Sequence, residues 1–116
     1  MESRNVILDL SFEFSIEIIK YCEILEERKK FVIARQLLKS GTSIGANIRE
    51  AQSAESKTDF IHKMKIAAKE ADETEYWLLL CNKSANYANP SILLGQIKSI
   101  EKILTKIITT SKSTLK

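Results

Sequence analysis

One histidine, one proline, three glycines and two cysteines are all that 116 residues hold of the types that build metal sites, sharp turns and redox centres. So little proline and glycine leaves too few breaks for the many turns of an all-β fold. Cys22 and Cys81 have no CxxC spacing and no second histidine to complete a metal site, and read as buried thiols in a reducing cytoplasm. His62 follows Asp59 by three residues, the spacing of one carboxylate–histidine pair of a di-metal bundle. Such a site needs two of these pairs and two further carboxylates, so no metal is expected. No arginine precedes His62 with four to six residues between them, as a helical-bundle RNase would need; Arg49 is too far. Glycine-rich phosphate loops and nucleophile motifs are absent too. The expectation is a protein that is not an enzyme and takes no cofactor. No run approaches the roughly 20 apolar residues of a membrane span. The opening MESRNVILDLSFEF has no basic leader, which points to a cytoplasmic protein without membrane contact.

What the chain does have is helical periodicity. Apolar residues make up 44% of it and charged residues 28%, enough for one core within a single domain over residues 1–116. Ile7, Leu10, Phe14, Ile18, Tyr21 and Leu25 recur at steps of three and four, predicting a helix from about Asn5 to Glu27. Phe12, Ile16 and Ile19 form a second apolar strip beside that face. Phe31, Ala34, Leu38, Gly41, Ile44, Ile48 and Ala51 predict a second helix, ending near residues 53–55. Ser56-Lys57-Thr58-Asp59 reads as the cap and first turn of a third. Its seam is Phe60, Met64, Ala67, Ala71, Thr74, Leu78, Cys81, Ala85 and Ala88, with Trp77 beside the core and Tyr76 open between the core edge and a subunit interface. Asn89-Pro90 opens a fourth helix with Leu93, Ile97, Ile100, Leu104 and Ile107 inside and Ile92, Ile103 and Ile108 alongside. The terminal TTSKSTLK is expected to fray. Four amphipathic helices with short connections predict an all-α, antiparallel, up-down-up-down four-helix bundle.

Charge is segregated along the chain. Residues 1–27 set seven acidic side chains against Arg4 and Lys20. Residues 28–49 hold Arg28, Lys29, Lys30, Arg35, Lys39 and Arg49 and no acid, while the last 28 residues carry five lysines against Glu101. Lys98, Lys102 and Lys106 fall at i, i+4, i+8 and make a ladder suited to a phosphate backbone, RNA or DNA. A solvated helix face is the plainer reading of such a stripe. No aromatics interleave with these basic residues, so base-by-base reading is not expected.

The second helix and the opening of the third share SGTSIGANIREAQSAESKTDF, residues 40–60, with Gly41 and Gly45 one turn apart. Two glycines inside a helix cost about 1 kcal/mol each against alanine, which suggests close approach of a neighbour, here the small seam of the third helix. Ser43, Asn47 and Glu50 share a face. With Glu70 and Glu73 of the third helix they are candidates for a structural polar network that sets register. A carboxylate cluster of Glu50, Glu70 and Glu73 for acid–base work lacks a nucleophile.

The run SGTSIGANIREAQSAESKTDFIHKMKIAAKEADETEYWLLL resembles the core signature of a small bacterial four-helix-bundle family. That family is associated with intervening sequences in large-subunit ribosomal RNA genes. The specific parts are Ser43–Asn47 with Glu50, and Lys69-Glu70-Ala71 through Glu75-Tyr76-Trp77. The family is similar to the accessory protein of diversity-generating retroelements, a basic ring that binds nucleic acid and a reverse transcriptase. The resemblance implies a homopentamer without enzymatic activity. It leaves two functions open: contact with nucleic acid, or a ring-shaped adaptor that binds a reverse transcriptase or another protein.

Overall fold

The computed structural model describes residues 5–115. Glu2, Arg4 and Lys116, counted in the charge pattern above, lie outside the described residues. Four helices follow one another: α1 (Val6–Glu27), α2 (Phe31–Ala51), α3 (Lys57–Lys83) and α4 (Ser91–Ser113). Each packs on its two neighbours in ring order, giving an all-α four-helix bundle about 50 Å long. The α2–α3 seam is the most extensive and the closing α1–α4 seam the least.

Local chemistry explains the boundaries. Asn5 caps α1 by accepting from the Leu8 N–H at 3.2 Å. The α1–α2 turn closes with Lys29 N–H on Glu26 O (2.9 Å) and Lys30 N–H on Leu25 O (2.8 Å), and Lys29 sits at φ 62°. That bond pair is the Schellman arrangement, which lets α2 start after three residues. Ser56 caps α3 by accepting from Asp59 N–H at 3.0 Å, while the Asp59 carboxylate accepts from Glu55 N–H. Asn89 Oδ1 accepts from Ser91 N–H, and α4 begins one residue later than the Asn89-Pro90 pair suggests.

The core joins all four stripes: Phe14, Ile18 and Leu25, Leu37, Ile44 and Ile48, Met64 and Leu78, Ile97, Ile100 and Leu104 are fully buried. Several expected positions differ. Leu37 is buried and Leu38 exposed, because inward positions of α2 follow Ala34-Leu37-Gly41-Ile44. Ile61 is buried while Phe60 is partly covered, and Ala85 lies exposed beyond the end of α3. α2 ends at Ala51, short of 53–55. The terminal segment remains helical to Ser113, where the Lys57 ammonium donates to Thr114 Oγ1 at 2.9 Å and ties the end of α4 to the start of α3.

Gly41 and Gly45 face α1, not the small seam of α3. A Cβ on Gly41 would stand 2.9 Å from Cγ1 and Cγ2 of Ile18, and one on Gly45 3.3 Å from the Ser11 carbonyl. Both missing side chains let α1 settle into α2. α3 meets the other side of α2, where the Thr74 and Ser40 hydroxyls bond at 2.9 Å in full burial and Thr74 also donates to Glu70 O. Burial without a partner would cost each hydroxyl about 1–3 kcal/mol, so this pair fixes the α2–α3 register.

Candidate functional site

Two features stand out among the described residues, a groove and segregated charge. A groove of about 880 Å³ runs along α1 and α2, and its lining includes Asp9, Phe12, Glu13, Ile19, Gly45 and Arg49. It exists because Gly45 and Ala46 contribute no bulk on the α2 side. Phe12 is 63% exposed and Ile19 43%, so the second strip of α1 faces outward at this groove. Ile103 and Ile108, expected to add to that surplus, pack partly buried against the core instead.

The basic residues of 28–49 do not form one face. Arg28 Nη1 donates to Asn86 O at 3.4 Å, and the Lys30 ammonium lies 5.0 Å from the centre of the Tyr87 ring. Together these two pin the α1–α2 turn to the α3–α4 loop, with Lys29 exposed between them. Arg35, Lys39 and Arg49 are exposed farther along α2, Lys39 towards Glu70 and Arg49 at the groove.

The polar network separates into local bonds. Ser43 Oγ donates to Lys39 O (2.7 Å) and Asn47 Nδ2 to Ser43 O (2.9 Å), both within α2. Glu73 accepts from Trp77 Nε1 at 3.1 Å, within α3. Burial and the neighbouring Glu73 push the Glu70 carboxyl up, partly offset by Lys39. Glu50 is exposed; the Ser40–Thr74 register places it level with Met64, about two turns from Glu70. The expected cluster of Glu50 with Glu70 and Glu73 is therefore not assembled. The interhelical pair is Ser40–Thr74, and Ser40 looked like one more small residue in the sequence.

The lysine ladder of α4 is divided as well. Lys98 Nζ lies 2.7 Å from Glu75 and 3.8 Å from Glu101, while Lys102 and Lys106 are exposed. Carboxylate oxygens of Asp72, Glu75 and Glu101 fall within 4.8 Å of one another. Crowding has a clear electrostatic result: burial, then Glu75, pushes the Glu101 carboxyl up to about 7, while Lys98 holds Glu75 below its ordinary value. Below this cluster, the α3–α4 face changes sign. Lys65 has its ammonium pKa lowered, first by a side-chain contact with Lys112, then by the Lys112 charge, with Lys69 adding to it. Lys57 stands beside Thr114 at the same end. Lys57, Lys65 and Lys69 repeat at multiples of four, a signal hidden in a stretch whose charges balance; contact with Lys112 depends on how α3 and α4 align. His62 is exposed on α3, and the neighbouring Asp59 pairs loosely with Lys63 at 4.0 Å. No helix among the described residues is long and apolar enough to cross a membrane.

The chain is similar in fold to a crystal structure of a protein of unknown function from the S23 ribosomal protein family of Bacteroides thetaiotaomicron. The TM-score is 0.84 and the identity 44%, over 88% of this chain and 97% of that one. Among curated proteins none matches the sequence. Residues 3–109 match the family model of the 23S rRNA-intervening sequence proteins. With that match spanning nearly all of a four-helix bundle, the chain belongs to the 23S rRNA-intervening sequence protein family.

Proposed function

We propose that this chain is a non-enzymatic, cytoplasmic binding module that assembles with copies of itself and holds nucleic acid on the lysine-bearing side of the assembly. The groove between α1 and α2 carries this reading. Phe12 and Ile19 stand open beside a stretch of α2 without bulk, and apolar surface of this kind marks association sites. A head-to-tail contact that closes gives a ring, and five copies is the number the family resemblance implies. Repetition matters for the second half of the proposal. The lysines of a single copy make a modest field, but the same lysines repeated around a ring make a strong one. Binding of RNA or DNA on such a surface is through phosphates and insensitive to sequence.

One observation favours a ring that binds a protein partner, such as a reverse transcriptase, instead. Lys98 is paired with Glu75, and Arg28 and Lys30 are engaged within the fold, so fewer cations face a phosphate chain than the sequence suggests. Fluorescence anisotropy with labelled single-stranded and duplex oligonucleotides across a salt series separates the two. Binding that weakens linearly in log salt and ignores sequence supports the nucleic-acid module. Absence of binding at low salt, with assembly intact, supports the adaptor.

A further inference from the structure

We infer that the end of the α3–α4 face where Lys65 meets Lys112, flanked by Lys69 and Lys57, is an anion site for the phosphate groups of a polyphosphate or nucleic-acid strand. The inference deepens the nucleic-acid reading above and rests on it for the strand, but not for phosphate itself. Two ammonium groups at one contact repel unless something negative lies between or beside them. Among the described residues no ion pair includes Lys65, Lys69 or Lys112. The nearest crowd of carboxylates on this face, Asp72, Glu75 and Glu101, is gathered around Lys98. The arrangement is also held in place. The Lys57–Thr114 bond secures the end of α4 against the start of α3, and Lys112 sits in the last turn of α4, where a cation is favoured by the helix dipole. Lys65 and Lys69 lie one turn apart on α3, and Lys106 and Lys102 continue along α4. A phosphate between Lys65 and Lys112 would replace repulsion by two charge-assisted contacts, and the acidic cluster would bound the strand at the other end.

Neighbouring positive charge lowers the pKa of Lys65, so at pH 8 it holds more neutral, nucleophilic amine than an ordinary lysine. Limiting N-hydroxysuccinimide acetate, read by peptide mass spectrometry, should therefore acetylate Lys65 ahead of Lys20 and Lys83. Tripolyphosphate or a 20-mer oligothymidylate should slow labelling of Lys65 relative to Lys20 and Lys83, because a bound anion favours the charged ammonium. Labelling of Lys65 that neither anion alters would overturn the site. In the binding assay, the double variant Lys65→Gln, Lys112→Gln should flatten the slope of log affinity against log salt by about 1.4 for single strands, two contacts' worth. Lys20→Gln with Lys83→Gln should leave it unchanged, and circular dichroism confirms that each variant is folded. Equal slopes for wild type and the Lys65/Lys112 variant would remove the site and leave the nucleic-acid reading standing. Protection by tripolyphosphate without any oligonucleotide binding would keep the site and remove that reading.

Discussion

The α1–α2 and α3–α4 seams join neighbouring antiparallel helices by opposite means. The first is built from missing side chains: Gly41 admits Ile18, and Gly45 admits the backbone of Ser11. The second carries charge along its outer edge, from the Lys98–Glu75–Glu101 knot to the Lys65–Lys112 contact. Close approach at the first seam leaves a groove outside it where Phe12 and Ile19 stand open, whereas the second presents a charged rim to water. Shape at one seam and charge at the other are thus available for different partners.

The sharpest way to break this contrast is to fill the first seam. Gly41→Leu places a side chain where even a Cβ would be 2.9 Å from a fully buried isoleucine, and should destabilise by about 3 kcal/mol or more in denaturant unfolding. Gly45→Ala should cost less than Gly41→Ala, because its nearest neighbour would be 3.3 Å away. The reverse order would show that the helices are held apart at Gly41. A smaller effect is expected between the two seams, where α2 meets α3. Thr74→Val strands the buried Ser40 hydroxyl and should cost about 1–3 kcal/mol; adding Ser40→Ala should recover part of it. The smallest effect belongs to the charged seam and depends on pH. Folding raises the Glu101 pKa from about 4.5 to about 7, so the folded state holds this proton more tightly than the unfolded one between those values. Its contribution is favourable at pH 4.5 and below and is lost as pH rises through 7. Glu75 has the opposite sign, its lowered pKa adding stability that is lost as pH falls through the folded value. Glu101→Gln should therefore raise the melting temperature at pH 8 relative to wild type, with little gain at pH 5. An equal shift at both pH values would contradict the proton assignment.

The two seams were unequally legible in the sequence. Periodicity located all four helices, the Ser56 cap and most of the core, because spacing along one helix is a property of that helix alone. It failed where the answer depended on a neighbour. Leu38 fits the same approximate stripe as Leu37, and only the inward direction of α2 separates them. Gly41 and Gly45 announced close approach, but their partner was α1 rather than α3. Lys98 looked like one rung of a ladder until α3 brought Glu75 to it. Lys65 and Lys112, 47 residues apart, meet only in the folded register. Trp77, expected beside the core, is found against it, and Tyr76, which its helix position left open, is 56% exposed.

Light scattering of the wild type beside Phe12→Lys tests the central proposal, that the α1–α2 groove is where copies of this chain meet. Phe12 is mostly exposed, so the substitution should leave helicity and melting of a single copy nearly unchanged while placing a charge in the apolar contact. The expected result is an assembly several times the 13.2 kDa of one chain for wild type at micromolar concentration, and a single copy for the variant. A wild-type mass of one chain, or assembly equally strong in Phe12→Lys, would contradict it.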